Sequence, residues 1–204
     1  MKKFKAGVTV AALLLALLPA ATPGKETTMK VFLGDSLTAG HDWARAFPPA
    51  INLGIGGDTC AGVWSRLDEV VDLGPDEIFL QIGINDFLRG ASPEEILEGH
   101  LRIWDELAAR LPAARLRIIS MLPYLEAALP GLQPNLELIQ INAALAEEAG
   151  LRGLAFIDLF RDLADEDKQL GLDFTSDGVH LTPLGYKVWA ERLRTFIQES
   201  GGPF

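Results

Sequence analysis

One repeated alternation constrains the fold of this chain more than any other feature: a short β-favouring apolar run, a glycine-rich or polar turn, then a longer stretch with helical spacing. The short runs fall at 30–33, 51–53, 77–81, 117–121 and 154–157. The helical patterns fall at 61–71, 93–111, 136–149 and 183–198. Runs that are apolar on both faces belong in a sheet covered on both sides, and strands separated by helices join in parallel. The expected architecture is therefore α/β, with a single five-stranded parallel sheet between helices. Ser92-Pro93 with Glu95, and Thr182-Pro183, mark helix starts, each combining a side-chain cap with a proline that needs no helical N–H partner.

The first residues read differently. Lys2, Lys3 and Lys5 precede an apolar run from Ala6 to Leu18, followed by Pro19, Ala20 and Ala21. This is the pattern of a secretory signal peptide, taken here as residues 1–24, and the run is shorter than the roughly 20 apolar residues a transmembrane helix needs. Secretion or a periplasmic location is expected. Translation starting at Met29, directly before the first strand, would leave a cytoplasmic protein instead. Residues 25–204, about 180, suit a single domain with its own core. The formal charge is −10 over the whole chain, and more negative once the leader lysines are gone. Such a surface disfavours nucleic acid and anionic membranes as partners, and no stable membrane insertion is expected. Cys60 is the single cysteine, so no disulfide can form within the chain.

In open parallel sheets, ligands sit beyond the carboxyl ends of the strands. The residues just after the first three runs are Gly34-Asp35-Ser36-Leu37, Gly54-Ile55-Gly56-Gly57-Asp58 and Gly83-Ile84-Asn85-Asp86, and Asp177-Gly178-Val179-His180 precedes the last helix. Cleaving an ester by acyl transfer needs a hydroxyl nucleophile, a base, a group that orients the base, and donors for the oxyanion. Ser36 can be the nucleophile, His180 the base and Asp177 its partner. The N–H groups of Ser36 and Gly57 and the side-chain amide of Asn85 can serve the oxyanion.

These four segments, in this order, resemble the blocks of the GDSL or SGNH hydrolase family: a GDS serine, an Asn52 to Gly57 segment of the form N-x-G-x-x-G, a G-x-N-D asparagine and a D-x-x-H pair. The resemblance spans essentially all of residues 25–204. It implies a flavodoxin-like three-layer α/β/α sandwich, a Ser36, Asp177 and His180 triad, an oxyanion hole of Ser36, Gly57 and Asn85, hydrolysis of carboxylic esters, and neither metal nor organic cofactor. The run from Asn52 through Thr59 into 61–67 is similar to small acetylhydrolase-like members. The expected substrate is thus a small-molecule or carbohydrate ester with a short acyl group, acetyl first, and 121–124 is expected on the acyl side of its pocket. Alternatives are a lipid ester, as for a lysophospholipase or thioesterase, or an acyltransferase using the same triad.

A reading from another class places Mg²⁺ on Asp35, Asp58 and Asp86 for phosphohydrolysis. The bland alternative is that these aspartates hold their loops through backbone N–H groups. Gly34 and Gly40 are wrongly spaced for a nucleotide-binding loop, and His41 stands where its lysine would be. His41 and His100 are read as structural or surface residues, Cys60 as a small core residue, and the tryptophans as core. A non-catalytic carbohydrate-binding relative would lack a triad member, and none is missing.

Overall fold

The computed structural model describes residues 28–131 and 134–201, so the leader expected at 1–24 lies outside them. Five strands, β1 (Lys30–Gly34), β2 (Ala50–Gly54), β3 (Glu77–Gln81), β4 (Arg115–Ile119) and β5 (Ala155–Ile157), form one sheet in the order β2-β1-β3-β4-β5. All four pairings are parallel. β1 and β3 are buried along their whole length, as expected of central strands covered on both faces. The chain steps outward from β1 to β2, then returns past β1 to β3. This reversal opens a crevice beyond the carboxyl ends of β1 and β3.

The helices are α1 (Ser36–Ala39), α2 (Trp43–Ala46), α3 (Cys60–Ser65), α4 (Leu67–Leu73), α5 (Ile84–Leu88), α6 (Pro93–Arg110), α7 (Asn135–Leu151), α8 (Phe160–Leu163) and α9 (Pro183–Glu199), with 3₁₀ turns at Glu126–Ala128 and Leu172–Phe174. Right-handed crossovers put α1 and α2, on the step to β2, opposite the helices of the return direction. α3, α4, α6 and α7 accordingly pack with one another. On the other face, Trp43 joins the sheet to α9: its ring stacks on Phe32 at 4.2 Å and meets Trp189 edge-on at 5.0 Å. Phe32 stacks in turn on Phe79 of β3, at 5.0 Å. Trp43, Trp104 and Trp189 are fully buried, and truncating any one of them to alanine should cost about 3–5 kcal/mol.

Two elements depart from expectation. β4 is framed two residues earlier than 117–121. At its start Arg115, which reads as loop, reaches the buried Glu77 carboxylate beside Arg117 and belongs to the strand. At its end Met121 leaves the ladder, because Asn142 of α7 accepts from its N–H at 2.8 Å and donates to its carbonyl at 2.9 Å. Asn135, two helical turns earlier, treats Tyr124 the same way. The helix expected over 61–71 is two helices, α3 and α4, broken at Arg66, whose φ is −122°.

Candidate active site

Ser36 opens α1 directly beyond β1. The turn before it is held by Asp35, whose Oδ1 accepts from Leu37 N–H at 2.9 Å, the usual work of a helix cap. Gly34 has no room for a side chain: a Cβ there would stand 2.1 Å from the Gln81 carbonyl oxygen of β3. Asp35 is wholly buried, and burial pushes its carboxyl up to about 7. The neighbouring Asp58 and Asp86 push in the same direction, while the Leu37 N–H and His180 oppose.

His180 arrives from a distant part of the chain. Its Nε2 lies 3.0 Å from Ser36 Oγ and its Nδ1 lies 2.7 Å from Asp177 Oδ2. Asp177 Oδ1 also accepts from the N–H groups of Val179 and His180 at 2.9 and 2.8 Å. The His180 hydrogen bond, with those two N–H groups behind it, holds the Asp177 carboxyl at about 2, below its ordinary 3.8. An ionised acceptor on Nδ1 fixes the tautomer that leaves Nε2 free to accept a proton. Thr175 steadies this turn: its hydroxyl donates to the His180 carbonyl at 2.9 Å and accepts from Gly178 N–H at 2.9 Å.

Two of the segments that bear proposed oxyanion donors are in direct contact. Gly57 has φ +76° and is exposed, so no side chain screens its N–H. Asn85 Nδ2 donates to the Asp58 carbonyl at 2.9 Å, and its second amide hydrogen remains to donate elsewhere. Asn85 stands in the first turn of α5 beyond β3 and Gly57 in the loop beyond β2, so that bond ties the two strand ends together.

The three aspartates of the metal reading serve the loops. Asp58 pairs with Arg66 and accepts from Thr59 N–H, Asp86 accepts from Cys60 N–H at 3.0 Å, and Asp35 caps α1. Among the described residues, no three His, Cys, Asp or Glu side chains are grouped to hold a metal ion. His41 stacks on Tyr186 at 5.0 Å. His100 is fully buried, and burial lowers its imidazole to about 4, so it is structural rather than a surface residue. Cys60 is buried. Met121, Leu122 and Tyr124, expected to wall the acyl pocket, are at most 1% exposed and are packed into the core instead.

Sequence reasoning assigned no role to Arg66, Arg89 or Thr175. Arg89 Nη2 donates to the Gly57 carbonyl at 2.8 Å. For Arg66 a signal was present: Val63, Arg66, Leu67 and Val70 share one helical face, and the other three are fully or almost fully buried. An arginine on an apolar face announces a specific partner inside.

A model of the GDSL-like lipase/acylhydrolase family matches residues 32–188. The chain is 30% identical over 176 residues to the platelet-activating factor acetylhydrolase IB subunit alpha1 of Bos taurus, covering 82% of this chain and 74% of that one. It is 28% identical over 170 residues, 83% of this chain, to the N-acylneuraminate cytidylyltransferase of Streptococcus agalactiae, of whose length it spans 39%. A GDSL-like lipase structure from Bacteroides thetaiotaomicron superposes with a TM-score of 0.72 at 22% identity, covering 88% of this chain and 92% of that one.

Proposed function

The chain belongs to the GDSL-like lipase/acylhydrolase family, and we propose that it is a serine esterase acting on short-chain carboxylic esters through Ser36, His180 and Asp177. One observation carries this reading: positions 144 residues apart meet in a continuous Asp177–His180–Ser36 hydrogen-bond chain at 2.7 and 3.0 Å. His180 Nε2 takes the Ser36 proton while Oγ bonds to the ester carbonyl carbon and the carbonyl electron pair moves onto oxygen. The N–H groups of Ser36 and Gly57 and the Asn85 amide receive that oxyanion. Collapse breaks the bond to the alcohol, which leaves with the proton held on His180. Water, deprotonated by the same imidazole, then releases the acid and restores Ser36. Asp177, ionised through the neutral range, stabilises the imidazolium formed in each step.

The acetylhydrolase relative supports an acetyl or other short acyl group; a carbohydrate or small alcohol is the other half of the ester in this reading. The open setting of the site, with His180 and Asp177 side chains 52% and 51% exposed, is consistent with it. Hydrolysis of p-nitrophenyl esters from acetate to palmitate tests the assignment: acetate or butyrate should be preferred, and EDTA should change nothing. A preference for palmitate would move the substrate to lipid esters, while acyl transfer to an added alcohol outpacing hydrolysis would make the protein an acyltransferase. The leader pattern at 1–24 supports export, which N-terminal sequencing of the protein recovered from the producing cells would test. Among the described residues, no helix is long and apolar enough to cross a membrane.

A further inference from the structure

We infer that Arg66 is a positioning residue for the Ser36 site, locking the end of the nucleophile's strand to the oxyanion loop; the inference rests on the serine reading above. The Arg66 side chain leaves the α3–α4 break and spans two segments. Its Nε donates to Asp58 Oδ2 at 2.8 Å, and its Nη2, also 2.8 Å from that oxygen, donates to the Gly34 carbonyl at 3.0 Å. Both side chains of the pair are only 10% exposed, so the contact is shielded from water and salt.

What those two acceptors belong to gives the contact its meaning. Gly34 is the last residue of β1, two before Ser36, and its carbonyl also accepts from Ile55 N–H at 3.0 Å. Asp58 directly follows Gly57, and its own carbonyl holds Asn85 Nδ2. Arg66 therefore stands where the segments bearing Ser36, Gly57 and Asn85 converge. Three donors can serve one oxyanion only if these segments keep a fixed offset, and a shift of about 1 Å can cost on the order of 10²-fold in rate. The planar guanidinium reaches a carboxylate and a carbonyl at once, which a single ammonium does not reproduce. The broken helix follows from the same demand: an unbroken helix over 61–71 would keep Arg66 among the apolar residues of its face.

Arg66→Lys keeps the charge near Asp58 and gives up the fork; Arg66→Met removes both. The readouts are kcat and KM on p-nitrophenyl acetate, the rate at which a fluorophosphonate labels Ser36 (Oγ–P bond formed, fluoride expelled), and the melting temperature. The P–O group of that adduct occupies the oxyanion position, so labelling reports on the donors' alignment.

For Arg66→Lys, a fall of about 10- to 100-fold in both kcat and labelling rate is expected, with KM little changed and a folded protein at the assay temperature. Combining it with Asp58→Asn should add little further loss, since both changes break one contact. A folded Arg66→Lys protein with kcat and labelling within about threefold of wild type overturns the inference, as do losses in both variants that merely track the unfolded fraction. A wild type that does not label at Ser36 sinks the serine reading and this inference with it. A wild type that labels while the variants label equally fast sinks the inference alone.

Discussion

Ser36, Gly57 and Asn85 stand just beyond the ends of three neighbouring parallel strands, Ser36 and Asn85 at the starts of short helices and Gly57 in a loop, and contacts far apart in sequence hold them: Arg66 to Gly34, Asn85 to Asp58, Arg89 to Gly57. His180 and Asp177 stand on a turn whose side chains are about half exposed, and contacts within a few residues hold them, together with the Leu125 N–H, which donates to the Gly178 carbonyl at 2.8 Å. An isolated two-residue bridge, Thr175 with Leu181, closes that turn. The nucleophile and oxyanion donors are thus fixed by the same packing that makes the fold, while the base is fixed mainly by a local hydrogen-bond pattern. Changes on the base side should therefore harm catalysis without harming stability, and changes on the strand-end side should harm both.

The largest effect should come from Asp177→Asn. The amide cannot stabilise an imidazolium and can hold the wrong tautomer, so kcat should fall about 10³- to 10⁴-fold, with a melting temperature close to wild type. A comparable loss of stability would show that the base turn is tied into the core after all. Asn85→Ala should follow, with a loss of about 10²- to 10³-fold in kcat and some loss of stability from the freed Asp58 carbonyl; less than about threefold would remove Asn85 from the oxyanion hole.

Thr175→Val keeps the side-chain shape and removes both hydroxyl contacts of the base turn. We expect a loss of about 3- to 10-fold in kcat from a less well-held imidazole, with unfolding midpoints in denaturant barely moved. An unchanged kcat would mean Asp177 alone orients the base. The smallest effect is on stability against pH and belongs to the strand-end half. Asp35 titrates at about 7 in the folded chain against an ordinary 3.8. Between those values the native state keeps a proton that the unfolded state gives up, so stability falls as pH rises through this window. Asp35→Asn should flatten that slope, visible as melting temperatures at pH 5 and pH 8 that differ less than in wild type. An equal slope in both proteins would assign it elsewhere.

The sequence reading reached the sheet, because β1 and β3 are apolar on both faces and end in glycine turns. It also placed the Ser36, Gly57 and Asn85 segments together, because strand-end residues share one edge of a parallel sheet, and singled out His180 as a histidine beside a carboxylate, Asp177, in the polar turn before the last helix. It misplaced the start of β4, because Arg115 looks like a loop residue until Glu77 is beside it. It overlooked the short helices α2, α5 and α8, which have too few turns to show a period. It joined α3 to α4 because an apolar period cannot reveal that one arginine on that face is drawn away by a carboxylate eight residues earlier. Met121 to Tyr124 misled for a related reason: the asparagines that turn this segment into the core, Asn135 and Asn142, lie on another element.

The most direct test of the account is to mix the protein with p-nitrophenyl acetate, quench within the first turnover, and map any acetyl group by peptide mass spectrometry, for wild type and for Ser36→Ala. The account predicts a burst of p-nitrophenol and an acetyl group on the peptide carrying Ser36 in wild type, with neither in the variant and kcat lowered by at least about 10⁴-fold. Hydrolysis persisting in Ser36→Ala, or acetyl found on another residue, would contradict it.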